Sequence, residues 1–202
     1  FNLQEKLAII GDAEGTGTAI RFKPDLDVFT TILDFDIDVI NTRLRETAFL
    51  NAGLKINIID ERGDTTVKIT HAYDGGLSEF VSQINEKRNP LHENVIHFYG
   101  EREIEIGPIT VEIAMQWSDA YNESIQCYTN IIRNRDGGTH LSGLRGALTR
   151  TLNSYAQSRK LLKNISNLSG EDVREGLAAI ISVKHPDPSF SSQTKFCFML
   201  KD

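Results

Sequence analysis

Gln193 and Lys195 stand two apart in the polar loop Ser191-Ser192-Gln193-Thr194-Lys195, which follows the proline-stiffened segment Val183-Lys184-His185-Pro186-Asp187-Pro188. An ammonium on a long stem is a point charge suited to a terminal phosphate, and a neighbouring amide can donate to phosphate oxygens or orient a water. By residue type the loop could sense a phosphate; as a lone tripeptide without its neighbours, Gln-Thr-Lys reads as an ordinary solvent-facing loop. The glycine-rich run Gly11-Asp12-Ala13-Glu14-Gly15-Thr16-Gly17-Thr18 lacks the lysine of a P-loop and the spacing of a dinucleotide fingerprint, and reads as a turn. His71, His92, His97, His140 and His185 show no metal spacing, and His140 is read as a structural hydrogen-bonding residue. Cys127 and Cys197 are too few for a disulfide framework and are read as buried apolar residues.

Charge supplies a second candidate. Between Arg133 and Lys163 seven basic residues face one acid, Asp136, a net of +6; since the whole chain carries −6, the remainder carries −12. One basic surface on an acidic body suits a polyanion, and a solvated helix face is the bland alternative. Within this stretch Leu141, Leu144, Leu148, Leu152 and Tyr155 form an apolar stripe, and at about 100° per residue Arg145, Thr149 and Lys160 fall within a wedge of about 60° beside it. Arginine, hydroxyl and lysine would line one wall.

The elements that must position these groups are legible from pattern. A chain of 202 residues, 40% apolar and 25% charged, can bury a sizeable core. No apolar run approaches membrane-spanning length, and Phe1-Asn2-Leu3-Gln4-Glu5-Lys6 makes no secretory signal, so a soluble, cytoplasmic protein is expected. Thr18 to Phe22 reads as a short strand and Asp36 to Leu50 as a helix stopped near Gly53. Lys55–Asp60 and Thr66–Thr70 read as a hairpin. Asp74-Gly75-Gly76 marks a boundary before an amphipathic segment, Leu77 to Asn85. Strands are expected at Val95–Tyr99, Thr110–Trp117 and Ser124–Ile132, then a helix from His140 to Tyr155 or beyond. Trp117 is taken as core. Ser169-Gly170-Glu171-Asp172 has the form of a capping box, and Ala178–Val183 is a buried strand. Strands and helices interleave throughout, so the fold class is α+β.

The stretch Asp136-Gly137-Gly138-Thr139-His140-Leu141-Ser142-Gly143-Leu144-Arg145-Gly146-Ala147-Leu148-Thr149-Arg150-Thr151-Leu152-Asn153 closely resembles the transducer domain of the bacterial gyrase B family of type II DNA topoisomerases. Thr16-Gly17-Thr18 with Arg21-Phe22-Lys23-Pro24, and Arg43-Leu44-Arg45-Glu46-Thr47-Ala48-Phe49-Leu50-Asn51, are similar to the end of that family's ATPase domain. Gly75-Gly76, Pro90-Leu91-His92, Ala114-Met115-Gln116-Trp117, Arg174-Glu175-Gly176-Leu177 and Ser192-Gln193-Thr194-Lys195 continue the match, from Gly11 to Lys195. Two departures stand out: Asn130-Ile131 replaces two successive asparagines, and Phe196-Cys197-Phe198-Met199-Leu200-Lys201-Asp202 replaces a charged segment.

The resemblance implies the C-terminal part of a Bergerat-type ATPase domain (residues 1–73), a transducer with a ribosomal-protein-like βαβ sandwich (74–195), and an atypical tail (196–202), too short and apolar for the family's next helix. It implies ATP with Mg2+ as cofactors of the complete protein, with none expected bound to this segment and no metal ligand within it. Gln193 and Lys195 would report the γ-phosphate, Thr18 would join a water-mediated adenine contact beside apolar Ile20, and Arg145, Thr149 and Lys160 would face duplex DNA. Implied partners are a gyrase A subunit, a second gyrase B protomer in an A2B2 assembly, and double-stranded DNA, with no membrane. The family's magnesium-binding asparagine, general-base glutamate, adenine-recognising aspartate and ATP lid fall upstream of Phe1, so residues 1–202 alone are expected to show no ATPase activity. The decatenating topoisomerase IV subunit and a stand-alone nucleic-acid-binding module remain alternatives.

Overall fold

The computed structural model describes residues 8–25, 27–31, 34–163 and 166–200. The first seven residues, read above for a signal, and Lys201 and Asp202 of the tail lie outside them. The chain divides into two compact units, one running to Asp36 and one from Ile37 onward.

The first unit contains no helix or strand among its described residues. Thr18–Phe22, expected as a strand, is irregular and exposed; a strand needs a neighbour to take its N–H and C=O groups, and no strand among the described residues forms a ladder with it. A turn follows, in which Asp25 accepts from the N–H groups of Val28 and Phe29 through its carbonyl and from that of Asp27 through its carboxylate.

The second unit opens with α1 (Ile37–Phe49), whose Ala48 and Phe49 are buried, and the antiparallel hairpin of β1 (Lys55–Asp60) and β2 (Val67–Ala72), as the alternation predicts. Helix α2 (Gly76–Ile84) buries Leu77, Phe80 and Val81 on one face. Around residue 74, Phe49 stacks on Tyr73 at 3.6 Å and on Phe80 at 4.6 Å.

Strands β3 (Ile96–Ile104), β4 (Gly107–Trp117), β5 (Ser124–Thr129) and β6 (Ile132–Arg133) precede the two-residue β7 (Gly137–Gly138) and the long α3 (Thr139–Ser158). After α4 (Gly170–Arg174) come β8 (Leu177–Lys184), β9 (Ser189–Phe190) and β10 (Cys197–Met199). The main sheet has the order β3-β4-β8-β5-β6, antiparallel except where β5 pairs in parallel with β8. Parallel neighbours need a crossover, and α3 with α4 supplies it. Seven of the eight β8 residues are buried, the near-continuous apolar pattern of a strand covered on both faces.

Alternate residues serve the two faces. Ala114, Tyr128, Ala178 and Ile180 meet Phe49, Leu50, Leu77, Phe80 and Val81 from α1 and α2, whereas Cys127, Ile181 and Val183 meet Leu144, Leu141 and Leu148 of α3. Full burial of such side chains stabilises by about 1.5–3 kcal/mol each, and Tyr128, Val81, Leu177 and Ile180 are closed to solvent. Burial also pushes the Cys127 thiol up to about 11, against the opposing pull of Arg145 and Arg133. Trp117 is half-buried rather than core, its Nε1–H donating to the Val173 carbonyl at 3.0 Å.

The expected strand Ser124–Ile132 is broken by a hairpin turn. Asn130 (φ 46) and Ile131 (φ 71) both adopt positive φ, the pair of conformations a two-residue type I′ turn requires. The Asn130 amide clasps the backbone after β8, donating to the His185 carbonyl and accepting from the His185 N–H, both at 2.8 Å. The tail, expected to be too short and apolar for a helix, contains a strand. Cys197–Met199 inserts as a strand between β7, in parallel, and β9, antiparallel. An apolar stretch of this length cannot bury itself as a helix, but as a strand it seals Phe198 to 2% exposure.

Candidate functional site

The β9–β10 connection carries Gln193 and Lys195. Lys195 sits at φ 59, its N–H closing a turn onto the Ser192 carbonyl at 3.0 Å, and the Ser191 N–H donates to the Cys197 carbonyl at 3.0 Å. Ser192 and Thr194 hydroxyls lie 2.7 Å apart. The turn is anchored from outside by Asn134, a buried residue that sequence reasoning missed. Its Nδ2 donates to the Lys195 carbonyl at 2.8 Å while its Oδ1 accepts from the Thr129 hydroxyl at 2.7 Å. The backbone is therefore held while the working side chains are not: Gln193 is exposed, and the Lys195 ammonium lies 5.7 Å from the Phe190 ring centroid with no carboxylate partner among the described residues. A cation with no carboxylate partner beside an exposed amide on a fixed turn is chemically able to receive an anion.

The basic face is organised differently from the helical projection. Helix α3 ends at Ser158, capped by Arg159, and Lys160 adopts φ 53 beyond it, so the 60° wedge does not extend to Lys160. Arg145 and Thr149 do share α3, joined by a hydrogen bond from the Thr149 hydroxyl to the Arg145 carbonyl at 2.9 Å. Arg145 is not free. Its Nη2 donates to Glu123 Oε1, and Arg174 Nε donates to Glu123 Oε2 at 2.6 Å. Glu123 and Arg174 are the second omission, and only the fold brings them to α3. Arg150, Lys160 and Lys163 are exposed. Tyr155, placed in the apolar stripe by sequence, is 54% exposed with the Arg159 guanidinium 5.6 Å from its ring.

His140 lies in the first turn of α3, but its ring makes no hydrogen bond among the described residues. Both ring nitrogens are buried without a partner among the described residues, and the ring meets Phe198 edge-on at 5.2 Å. Burial lowers its pKa to about 4. Thr18 and Ile20 lie in the first unit, exposed and in no regular element. Among the described residues no group of three or more His, Cys, Asp or Glu could hold a metal ion, and no helix is long and apolar enough to cross a membrane.

Comparison with known proteins adds the family. The DNA gyrase B model matches residues 76–199. The chain is 47% identical over 190 residues, 94% of its length, to the DNA gyrase B protein of Streptococcus pneumoniae, of which the match covers 29%. To the DNA gyrase B protein of Halalkalibacterium halodurans it is 48% identical, with the same coverage of 94% and 29%. Among solved structures, the 43K ATPase domain of Thermus thermophilus gyrase B, in complex with an aminocoumarin, matches with TM-score 0.71 and 34% identity, over 89% of this chain and 46% of that one. The topoisomerase IV ATP-binding domain of Francisella tularensis shares the fold, with TM-score 0.66 and 22% identity over 85% of this chain and 44% of that one. The chain thus spans about 29% of the length of these curated relatives. With a family match over more than half its residues and close to half its positions identical to these relatives, the chain belongs to the DNA gyrase B family.

Proposed function

We propose that this chain is the junction between the ATP-binding and transducer domains of a gyrase B protein, serving an ATP-dependent type II topoisomerase that passes and negatively supercoils DNA. In this reading residues 1–73 complete the ATP-binding domain, residues 74–195 form the transducer with a ribosomal-protein-like βαβ core, and Thr18 and Ile20 belong to the adenine pocket. The complete protein works in the cytoplasm with a gyrase A subunit and a second gyrase B protomer in an A2B2 assembly. The magnesium that accompanies ATP takes no ligand from the described residues.

The observation that carries the proposal is the fixed backbone and uncommitted side chains of the 191–195 turn. Lys195 Nζ gains a charge-assisted contact only while a terminal phosphate is present, and the Gln193 amide adds a neutral donor. Loss of that phosphate removes the differential interaction favouring one interdomain arrangement. Arg145 and Thr149 on α3, and Lys160 beyond its end, contribute contacts to DNA phosphates that are independent of sequence.

Lys195→Ala in the complete gyrase B protein tests the sensor. A hydrogen bond to a charged group contributes about 1.5–3 kcal/mol, so affinity for a non-hydrolysable ATP analogue should drop about tenfold to a hundredfold while ADP affinity stays level. Equal losses for the two nucleotides would refute a contact to the terminal phosphate.

A further inference from the structure

Glu123 precedes β5, and its carboxylate bridges guanidinium groups from two separate helices. Arg145 of α3 holds Oε1 through Nη2, and Arg174 at the end of α4 holds Oε2 through Nε at 2.6 Å. Side-chain exposure falls from 41% at Arg145 through 28% at Glu123 to 16% at Arg174, so the cluster runs inward from the surface. Thr149 belongs to the same spot: a Cβ added at Gly170 would lie 2.7 Å from Arg174 Nη1 and 3.4 Å from the Thr149 hydroxyl. Gly176, at φ 73, packs under the carbonyls of Ser118 and Ala120, which fixes the loop leading to Glu123.

Two guanidinium groups converge on one oxyanion, each through a single N–H···O bond, and guanidinium donors suit phosphate oxygens as they suit carboxylate ones. The carboxylate does not exhaust the donors, since Arg145 Nε is buried without a partner among the described residues. Arg145 also lines an open hollow of about 480 Å³, together with Asp136, Thr139 and Ser142, so the Arg145 end of the cluster borders open space.

We infer that Arg145 and Arg174 form a two-arginine site for a DNA backbone phosphate, and that Glu123 occupies it as an internal stand-in which the phosphate displaces. This rests on the reading of the α3 face as DNA-facing and adds to it a second ligand, Arg174, and a competing anion. The bridged cluster has net charge +1; displacement exposes +2. DNA therefore gains contacts only by breaking the bridge, and the carboxylate sets a threshold that selects polyanions over isolated small anions.

The test is Glu123→Gln in residues 1–202, read by fluorescence anisotropy of a labelled 25-base-pair duplex between 50 and 200 mM KCl, with thermal melts recorded alongside. One added phosphate contact steepens the slope of log affinity against log salt by about 0.9 and tightens binding about eightfold at 0.1 M. The expected result is a gain of that size, cancelled when Arg174→Gln is added. Glu105→Gln, which removes an equal charge from the exposed β3–β4 turn, should leave affinity within about twofold. No gain from a variant with a native melt overturns the proposal, as does a gain that survives Arg174→Gln. If Glu123→Gln melts early, Arg174→Gln alone decides: weaker binding with a shallower slope supports the site, and unchanged binding overturns it. If Arg145→Gln leaves wild-type affinity untouched, the DNA-facing reading fails along with the proposal; if it weakens binding while Glu123→Gln has no effect, only the proposal fails.

Discussion

Replacing His140 by Phe should make the protein markedly less sensitive to mild acid. Burial disfavours the imidazolium and lowers the His140 pKa from 6.5 to about 4; neither sealed ring nitrogen has a partner among the described residues to offset this. The folded state therefore holds this proton less tightly than the unfolded chain, and stability falls as pH drops through the window from 6.5 to 4. At about 1.4 kcal/mol per pKa unit, the loss between pH 7 and pH 5 comes to about 2 kcal/mol. For a chain of this size that corresponds to about 4–8 °C in Tm. Phenylalanine keeps the ring and its edge contact with Phe198 and removes the titration. Circular dichroism melts of the two proteins at pH 7, 6 and 5 isolate His140 by difference. Asp119 and Asp172, held low by hydrogen bonds from Asn89 and Ser169, and His71, lowered by burial and Arg45, contribute equally to both. Parallel Tm curves would refute the reasoning, because they would mean that protonated His140 finds water or a counter-charge without disturbing the fold.

Asn134→Ala strands the Thr129 hydroxyl and the Lys195 carbonyl; a cost of about 1–3 kcal/mol and faster amide exchange at 191–195 are expected, and unchanged exchange would count against Asn134 as the anchor. Gly138→Ala would drive a methyl into the Phe198 backbone at φ 145, costing about 2–4 kcal/mol in urea unfolding; a loss below about 1 kcal/mol would mean that β10 moves away freely. Ile131→Asn relieves a β-branched residue at φ 71 and should stabilise by about 0.5–1 kcal/mol, whereas a lower melting point would show that the packing of Ile131 outweighs its strain.

What the sequence revealed depended on how local the cause was. The Ser169–Asp172 capping box forms with both reciprocal hydrogen bonds, because its partners are three residues apart. The α1 periodicity, the β1–β2 alternation and the apolar run of β8 were readable for the same reason. Glu123 was invisible because its partners lie 22 and 51 residues away. Thr18–Phe22 has strand composition but no described strand to complete a ladder, while the tail found one in β7 and β9. Lys160 was misprojected because a helical wheel does not announce where the helix stops. At the candidate site, Gln193 and Lys195 stood out by chemical type, whereas Asn134, which anchors their turn, carries no local signal.

Strand β8 has a mechanical consequence. It begins three residues after Arg174 and ends at Lys184, from which the chain runs on to Gln193 and Lys195. Eight residues at about 3.3 Å each make a strut of about 26 Å, clamped laterally by β4 and β5 and covered on both faces. Such a member moves only with its sheet, as one body. A rotation of about 10° about the arginine end would carry the lysine end through about 4–5 Å over that length, more than the reach of a hydrogen bond. On the proposed reading, the two candidate sites stand near opposite ends of this one strut, so a rigid movement of the sheet displaces both together.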